Sequence, residues 1–255
     1  CSEEDCAVSF DHAVSRLGWC VQNFRGYQKK ILRDAFFEAF ETYETGCAPV
    51  IQELNSGVRP ERQTELLDRA AEAMLDELSA GWEKKNDMED EKVILAIFFV
   101  PMVRKLQLPV SEEFVSLLQK KWVERYPKSP FYLGDYESIS GGFRKKFLGL
   151  CFITTAVCQE LGKPDDCAEL TAFRAFRDGY LAAQPDGEAL IREYYNIAPG
   201  IVTCINTCSD RHASYERIRE QYLTPCYEDL LAGRNADCKT RYVQMVRDLE
   251  REYLN

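Results

Sequence analysis

The chain has 255 residues, 45% of them hydrophobic and 29% charged, and carries a net charge of −10. That length holds a substantial core, and the acidic excess argues against a nucleic-acid-binding surface, which needs clustered Lys and Arg to neutralise phosphate. The longest apolar run, Val93 to Val103, contains Pro101 and falls short of the ~20 residues a membrane span requires; it predicts a buried core helix.

The pattern is helical nearly throughout. From Gly26 to Leu54, apolar residues recur at three and four: Ile31, Leu32, Ala35, Phe36, Ala39, Phe40, Tyr43. Pro49 is expected to end or kink that run, and Asn55-Ser56-Gly57 is a stop. Pro60 opens the next helix, which carries Leu66, Leu67, Ala70, Met74, Leu75 and Leu78 and fades between Lys84 and Asp87. A third runs from about Glu89 to Leu106, and Pro109-Val110-Ser111-Glu112-Glu113 starts a fourth. Residues 126–142 are rich in aromatics, glycine and proline. They divide an N-terminal helical region, residues 1–125, from a C-terminal one, residues 143–255, and Gly141-Gly142 reads as a hinge or close-approach point. Further helices are predicted for Phe143 to Leu161, Asp166 to Ala183, Glu188 to Tyr195, Pro199 to Thr207, Ser214 to Ala232, and Ala236 to Tyr253. With no strand-length alternation and no solenoid-period repeat, the fold class is all-α: a multi-helix globular bundle.

Eleven cysteines are many for this length, and their odd number means disulfides cannot use them all. They are spread through helical patterns, which predicts a reduced, cytoplasmic chain with buried thiols. The alternative is an extracytoplasmic chain lipidated on Cys1, its leader removed.

The segment Cys151-Phe152-Ile153-Thr154-Thr155-Ala156-Val157-Cys158 packs two thiols and two hydroxyls into eight mostly apolar residues. On a helix over Phe143 to Leu161, Cys151, Thr154 or Thr155, and Cys158 share one face. The hydroxyls can bond back to a carbonyl one turn earlier, which makes a tight helix interface the plain reading. Downstream, Arg174 and Asp178 stand four apart and are predicted to pair on one helix face, with Arg177 beside it. An arginine near Cys151 would favour its thiolate.

The Cys151-to-Ala156 motif, followed by Leu170, Phe173-Arg174, Phe176-Arg177-Asp178, Tyr194-Tyr195 and Ala198-Pro199, resembles the bacterial CFI-box C-terminal domain family. Gly162-Lys163-Pro164-Asp165-Asp166-Cys167 is similar to its Firmicutes version. The resemblance spans about residues 143–206, and Trp122 to Phe147 is similar to the segment that precedes the box there. It implies a bacterial source and a helical domain. The family has no established activity, so the resemblance transfers no catalytic residue.

Other chemistry is sparse. There is no C-x2-C; Cys204 and Cys208, four apart, are the weak candidates for a metal site, while Cys151 and Cys158 are too far apart on a helix to share an ion unaided. The two histidines, His12 and His212, sit in no protease-like pattern. Acidic runs such as Glu89-Asp90-Glu91 and Asp165-Asp166 fit helix N-termini, and no glycine loop cradles phosphate. No cofactor is expected. The chain is therefore read first as a structural or protein-interaction module with a protein or peptide partner and no nucleic-acid partner; the pattern specifies no oligomeric state. Two readings compete. In one, Cys151 is the nucleophile or redox thiol of an enzyme, helped by Thr154, Thr155, Arg177 and Asp178. In the other, the box is a substrate for a modifying or processing enzyme. A pocket exposing Cys151 favours the enzyme, a filled core around it the module, and a flexible exposed box the substrate.

Overall fold

The computed structural model describes residues 3–84, 86–144, 151–207 and 210–255. Among these residues there are helices and no strand, as the periodicity predicts. In chain order the helices are α1 (Glu3–Leu17), α2 (Trp19–Gln22), a 3₁₀ turn (Tyr27–Lys30), α3 (Phe36–Gly57), α4 (Gln63–Ala80), α5 (Asp87–Ile94), a π segment (Leu95–Phe99), α6 (Val100–Lys105), α7 (Ser111–Arg125) and α8 (Tyr136–Arg144). There follow α9 (Phe152–Glu160), α10 (Ala168–Ala175), a second π segment (Phe176–Leu181), α11 (Gly187–Thr207), α12 (Arg211–Ile218), a third π segment (Arg219–Leu223), α13 (Thr224–Leu231) and α14 (Asn235–Tyr253). No described helix is long and apolar enough to cross a membrane. The chain divides into two compact units: Cys1–Lys30 with Ala35–Gly141 and Thr207–Ser209, and Ile31–Asp34 with Gly142–Asn206 and Asp210–Asn255.

In the first unit, α1 packs along α3 and α4 along α7. The core is aromatic: Phe10, Phe36, Phe40, Tyr43, Phe98, Phe99, Phe114 and Trp122 are almost wholly buried. The polar tips of the larger rings find acceptors, Tyr43 donating to the Cys20 carbonyl at 2.7 Å and Trp122 to the Ser129 carbonyl at 2.7 Å. Glu91 is fully buried and accepts from Arg25 Nε at 2.7 Å and from Trp82 Nε1 at 2.8 Å, so its charge is both paired and hydrogen-bonded. The stop at Gly57 and the start at Pro60 fall where the sequence places them, and residues 94–103 are buried throughout.

Pro49 does not end α3. The helix continues through it, held on both sides by buried Cys47, Ala48, Val50 and Ile51; lateral burial outweighs the one lost hydrogen bond. Pro101 and Pro225 instead each follow a π segment. Their rings crowd the carbonyl four residues back, at Ile97 and Gln221, and the chain widens there.

In the second unit, α9 packs on α10 and α12, α10 on α13, and α13 on α14. Its α11 corrects a second proline expectation, running unbroken through Pro199 from Gly187 to Thr207. The short segment Ile31–Asp34 lies against it: Arg33 N–H donates to the Asn196 carbonyl at 3.0 Å and Asp34 N–H to Asn196 Oδ1 at 3.1 Å. A Cβ at Gly200 would overlap the Ile31 carbonyl oxygen, so glycine there permits the approach. Two further expectations are corrected. Gly141-Gly142 lies inside α8 and is no break in secondary structure. Cys151 is not within a continuous helix from Phe143 to Leu161: it has φ −103° and ψ 80° and caps α9 from outside. Leu148, which helical spacing would put beside it, lies outside the described residues.

Candidate functional site

The helix α9 starts without the Ser, Thr, Asp or Asn that usually satisfies the first free amides of a helix. The acceptor comes from elsewhere in the second unit. The Tyr194 hydroxyl on α11 takes the Ile153 N–H at 3.0 Å. Tyr242 on α14 donates to Tyr194 at 3.4 Å and meets Thr154 Oγ1 at 3.2 Å. Three helices are thus tied together by one hydroxyl chain. Burial pushes both phenols well above their ordinary range, so they remain protonated and act as hydrogen-bonding struts.

Cys151 sits at the mouth of α9 and is 4% exposed. Its Sγ lies 3.4 Å from Arg177 Nη1. Arg177 belongs to the second π segment and is itself buried. Its guanidinium is held in a fork by the neighbouring Asp178, Nε to Oδ1 at 2.7 Å and Nη2 to Oδ2 at 2.8 Å. The predicted Arg174–Asp178 pair does not form. The π segment changes the angular spacing, so the i,i+4 register fails, and Arg174 turns to Asp165, donating to its carbonyl and to Oδ1, each at 2.8 Å.

The electrostatics of the pair are opposed. Burial raises the Cys151 thiol above its usual range, and the Arg177 and Arg174 charges pull it down by less. For Arg177, burial works against the charge, but the Asp178 hydrogen bonds together with Cys151 and Tyr195 leave it above its usual value. Asp178 is held low by its hydrogen bonds to Arg177. Cys151 is therefore a neutral thiol beside a permanent cation. Neither histidine reaches it: His12 pairs with Glu53 and His212 with Glu160. Asp178 is committed to Arg177. Among the described residues, no hydrogen bond joins the thiol to a carboxylate or an imidazole; its contact is Arg177.

Beside Cys151 opens a small pocket of about 50 Å³. Its walls are mainly apolar: Phe173 and Phe176 on one side, Leu190 and Ile191 of α11, and Val243 and Val246 of α14. Arg177, Tyr194 and Tyr242 contribute to the lining, with Glu193 and Arg247 as further charged members. This is the composition of a recognition pocket, apolar with few polar groups.

Of the residues singled out in the sequence, Cys151, Arg177 and Asp178 come together, and Thr154 joins them through Tyr242. Thr155 does not join; its hydroxyl is buried without a hydrogen-bond partner. Cys158 faces Cys167 instead of Cys151. Cys204 is buried in α11, Cys208 lies outside the described residues, and no group of three or more metal-ligating side chains occurs among the described residues. Tyr242, Val243 and Val246 were not legible as site residues. Their one sequence signal is the apolar stripe of α14 interrupted by a tyrosine. Comparison with family models, curated proteins and solved structures finds no match.

Proposed function

We propose that the second unit is a recognition module whose pocket takes an apolar side chain, aliphatic or aromatic, from a peptide or protein partner. The observation that carries this reading is the pairing of an apolar, half-open pocket with a Cys151 thiol that is buried, raised and hydrogen-bonded to no carboxylate or imidazole. Such a thiol reacts slowly, while apolar walls contribute about 25 cal/mol per Å² of surface they remove from water. Arg177, fixed by Asp178, gives the floor a directional donor that orients a partner carbonyl.

The test uses an environment-sensitive apolar dye, anilinonaphthalene sulfonate, on the folded chain and on Val246→Trp, which fills the pocket. Saturable fluorescence that is lost in the filled variant, with unchanged far-ultraviolet circular dichroism, is the expected result; equal dye binding by both proteins removes the pocket as the site. The competing reading, a cysteine-dependent enzyme, draws on the Arg177 contact at 3.4 Å. It requires Cys151 to be alkylated at neutral pH in the native chain at least as fast as in the denatured one.

A further inference from the structure

Six of the eleven cysteines stand in three pairs, and every pair joins two helices that are neighbours in their unit. The Cys158 and Cys167 sulfurs, on α9 and at the start of α10, are 3.7 Å apart. The Cys47 thiol of α3 donates to the Cys20 carbonyl of α2 at 3.8 Å. The Cys226 thiol of α13 donates to the Cys238 carbonyl of α14 at 3.9 Å. The partners are 27, 9 and 12 residues apart in sequence, so no single helix spacing makes them meet; three separate tertiary contacts do. A buried thiol needs no second thiol beside it to pack well. Three such coincidences in one chain call for a covalent reason.

We propose that Cys20–Cys47, Cys158–Cys167 and Cys226–Cys238 are disulfide-forming pairs, closed by thiol–disulfide exchange with a small-molecule or protein disulfide. In each closure one thiol loses its proton and attacks the partner disulfide, whose S–S bond breaks. The second thiol of the pair, also deprotonated, then displaces the remaining sulfur. One S–S bond forms in this chain, two thiols form on the partner, and two electrons pass from the pair to the partner disulfide. Closing the Cys158–Cys167 sulfurs from 3.7 Å to the bond length of ~2.0 Å lies within reach of side-chain rotation, and in the other two pairs one thiol already touches its partner's backbone.

The pairs differ in access. Cys20, Cys47, Cys226 and Cys238 have no exposed surface, whereas Cys158 is 5% exposed and Cys167 is half-buried, at the end of the turn that its N–H closes onto the Pro164 carbonyl. The first two pairs therefore close as the chain folds and then resist reductant, while Cys158–Cys167 opens and closes in the folded protein. That pair links α9, which Cys151 caps, to α10, which leads into the Arg177 segment. Cys151, with no thiol beside it among the described residues, stays reduced. The oxidised chain is the form expected in an oxidising compartment, in contrast to the reduced chain that the spread of cysteines suggests. This inference is independent of the recognition reading, since its readout is a bond and not a ligand.

The full chain is expressed both with export to an oxidising compartment and in a reducing cytosol, quenched with iodoacetamide in denaturant, and mapped as non-reduced peptides. The exported chain is expected to carry all three bridges with these partners and a free Cys151. The folded cytosolic chain, treated with glutathione disulfide, is expected to gain Cys158–Cys167 alone, and Cys167→Ser to abolish that gain. An exported chain with these six thiols free, or joined to other partners, overturns the proposal. Closure of the buried pairs in the folded chain as fast as Cys158–Cys167 overturns its division into two classes.

Discussion

Arg177 Nη1 lies 3.4 Å from Cys151 Sγ, and the two residues are 26 apart in sequence. The contact joins a residue that caps α9 to one on a π segment. It sets the character of the site, because the sulfur is enclosed enough to stay protonated and yet faces a charge that is never lost. The balance of burial over charge decides between a packed thiol and a reactive one.

Burial wins in that balance, so Cys151 is expected to be alkylated by iodoacetamide far more slowly in the native chain than in the denatured one. Cys151→Ser is expected to lose on the order of 1–3 kcal/mol. The shorter C–O bond draws the acceptor back from Arg177, and the new hydroxyl proton has no evident partner. Urea denaturation measures the loss, and a serine variant as stable as the parent contradicts the packing described for Sγ.

Removing the other partner acts through charge. In Arg177→Ala the larger of the two arginine charges that lower the thiol is gone, so the pH midpoint of Cys151 alkylation is expected to move up. Stability is expected to fall by about 1–3 kcal/mol, less than for a fully enclosed ion pair because the Asp178 carboxylate is largely exposed. Arg177→Lys keeps the charge but loses the two-pronged grip on Asp178 and is expected to fall between the two. A midpoint unmoved in Arg177→Ala shows that the guanidinium does not influence the thiol.

The helical architecture was legible because caps, stops and periodicity agree at each end: Gly57 closes α3, Pro60 precedes α4, and the run around Phe98 and Phe99 is buried as its composition implies. What was not legible depends on contacts distant in sequence. Pro49 and Pro199 are ordinary breakers by local rule, yet burial beside the first and the Ile31–Asp34 segment on α11 leave both helices whole. The Arg174–Asp178 pairing failed because nothing in Phe176–Leu181 announces a π segment; it lacks the proline that follows the other two. Thr154 meets Tyr242 across 88 residues, a separation with no local signature. That Cys151, Arg177 and Asp178 meet follows a rule visible in the sequence: polar and thiol groups in an apolar setting must find partners wherever the chain brings them.

Gly200 gives a steric test of the α11 contact. Its absent side chain lets the Ile31 carbonyl approach, and backbone cannot move aside as a flexible side chain can. Gly200→Ala is expected to cost about 1–3 kcal/mol by overpacking, even though alanine is the better helix former by ~1 kcal/mol. Thr203→Ala serves as the control, since its hydroxyl only bonds back to the Pro199 carbonyl one turn earlier. Gly200→Ala should melt below the parent and below Thr203→Ala; a gain in stability shows that Ile31 does not pack on this helix.

Stability should fall on the alkaline side, and the sign follows from which state holds its protons. Burial raises Cys151 from 9.0, and it holds Tyr43 and Tyr194 well above 10.0. In the unfolded chain these acids ionise near their ordinary values, while in the folded chain they keep the proton. Between the two values the folded state binds more protons, so raising the pH favours unfolding, by up to about 1.4 kcal/mol per pH unit for each group. Their contribution is complete below about pH 8.5, begins to fade with the thiol, and fades faster above about pH 10 as the tyrosines join. Urea midpoints of the reduced chain, measured across that range, are expected to be level at first and then to drop with increasing slope. Cys151→Ala should remove its share of the first part of the drop, to which the raised thiols Cys20, Cys158 and Cys238 also contribute, and Tyr194→Phe its share of the second, from a lower starting stability because the Ile153 amide loses its acceptor. Midpoints that stay level through pH ~11 mean that these groups are open to water in the folded chain, and the enclosed hydroxyl chain around α9 does not hold.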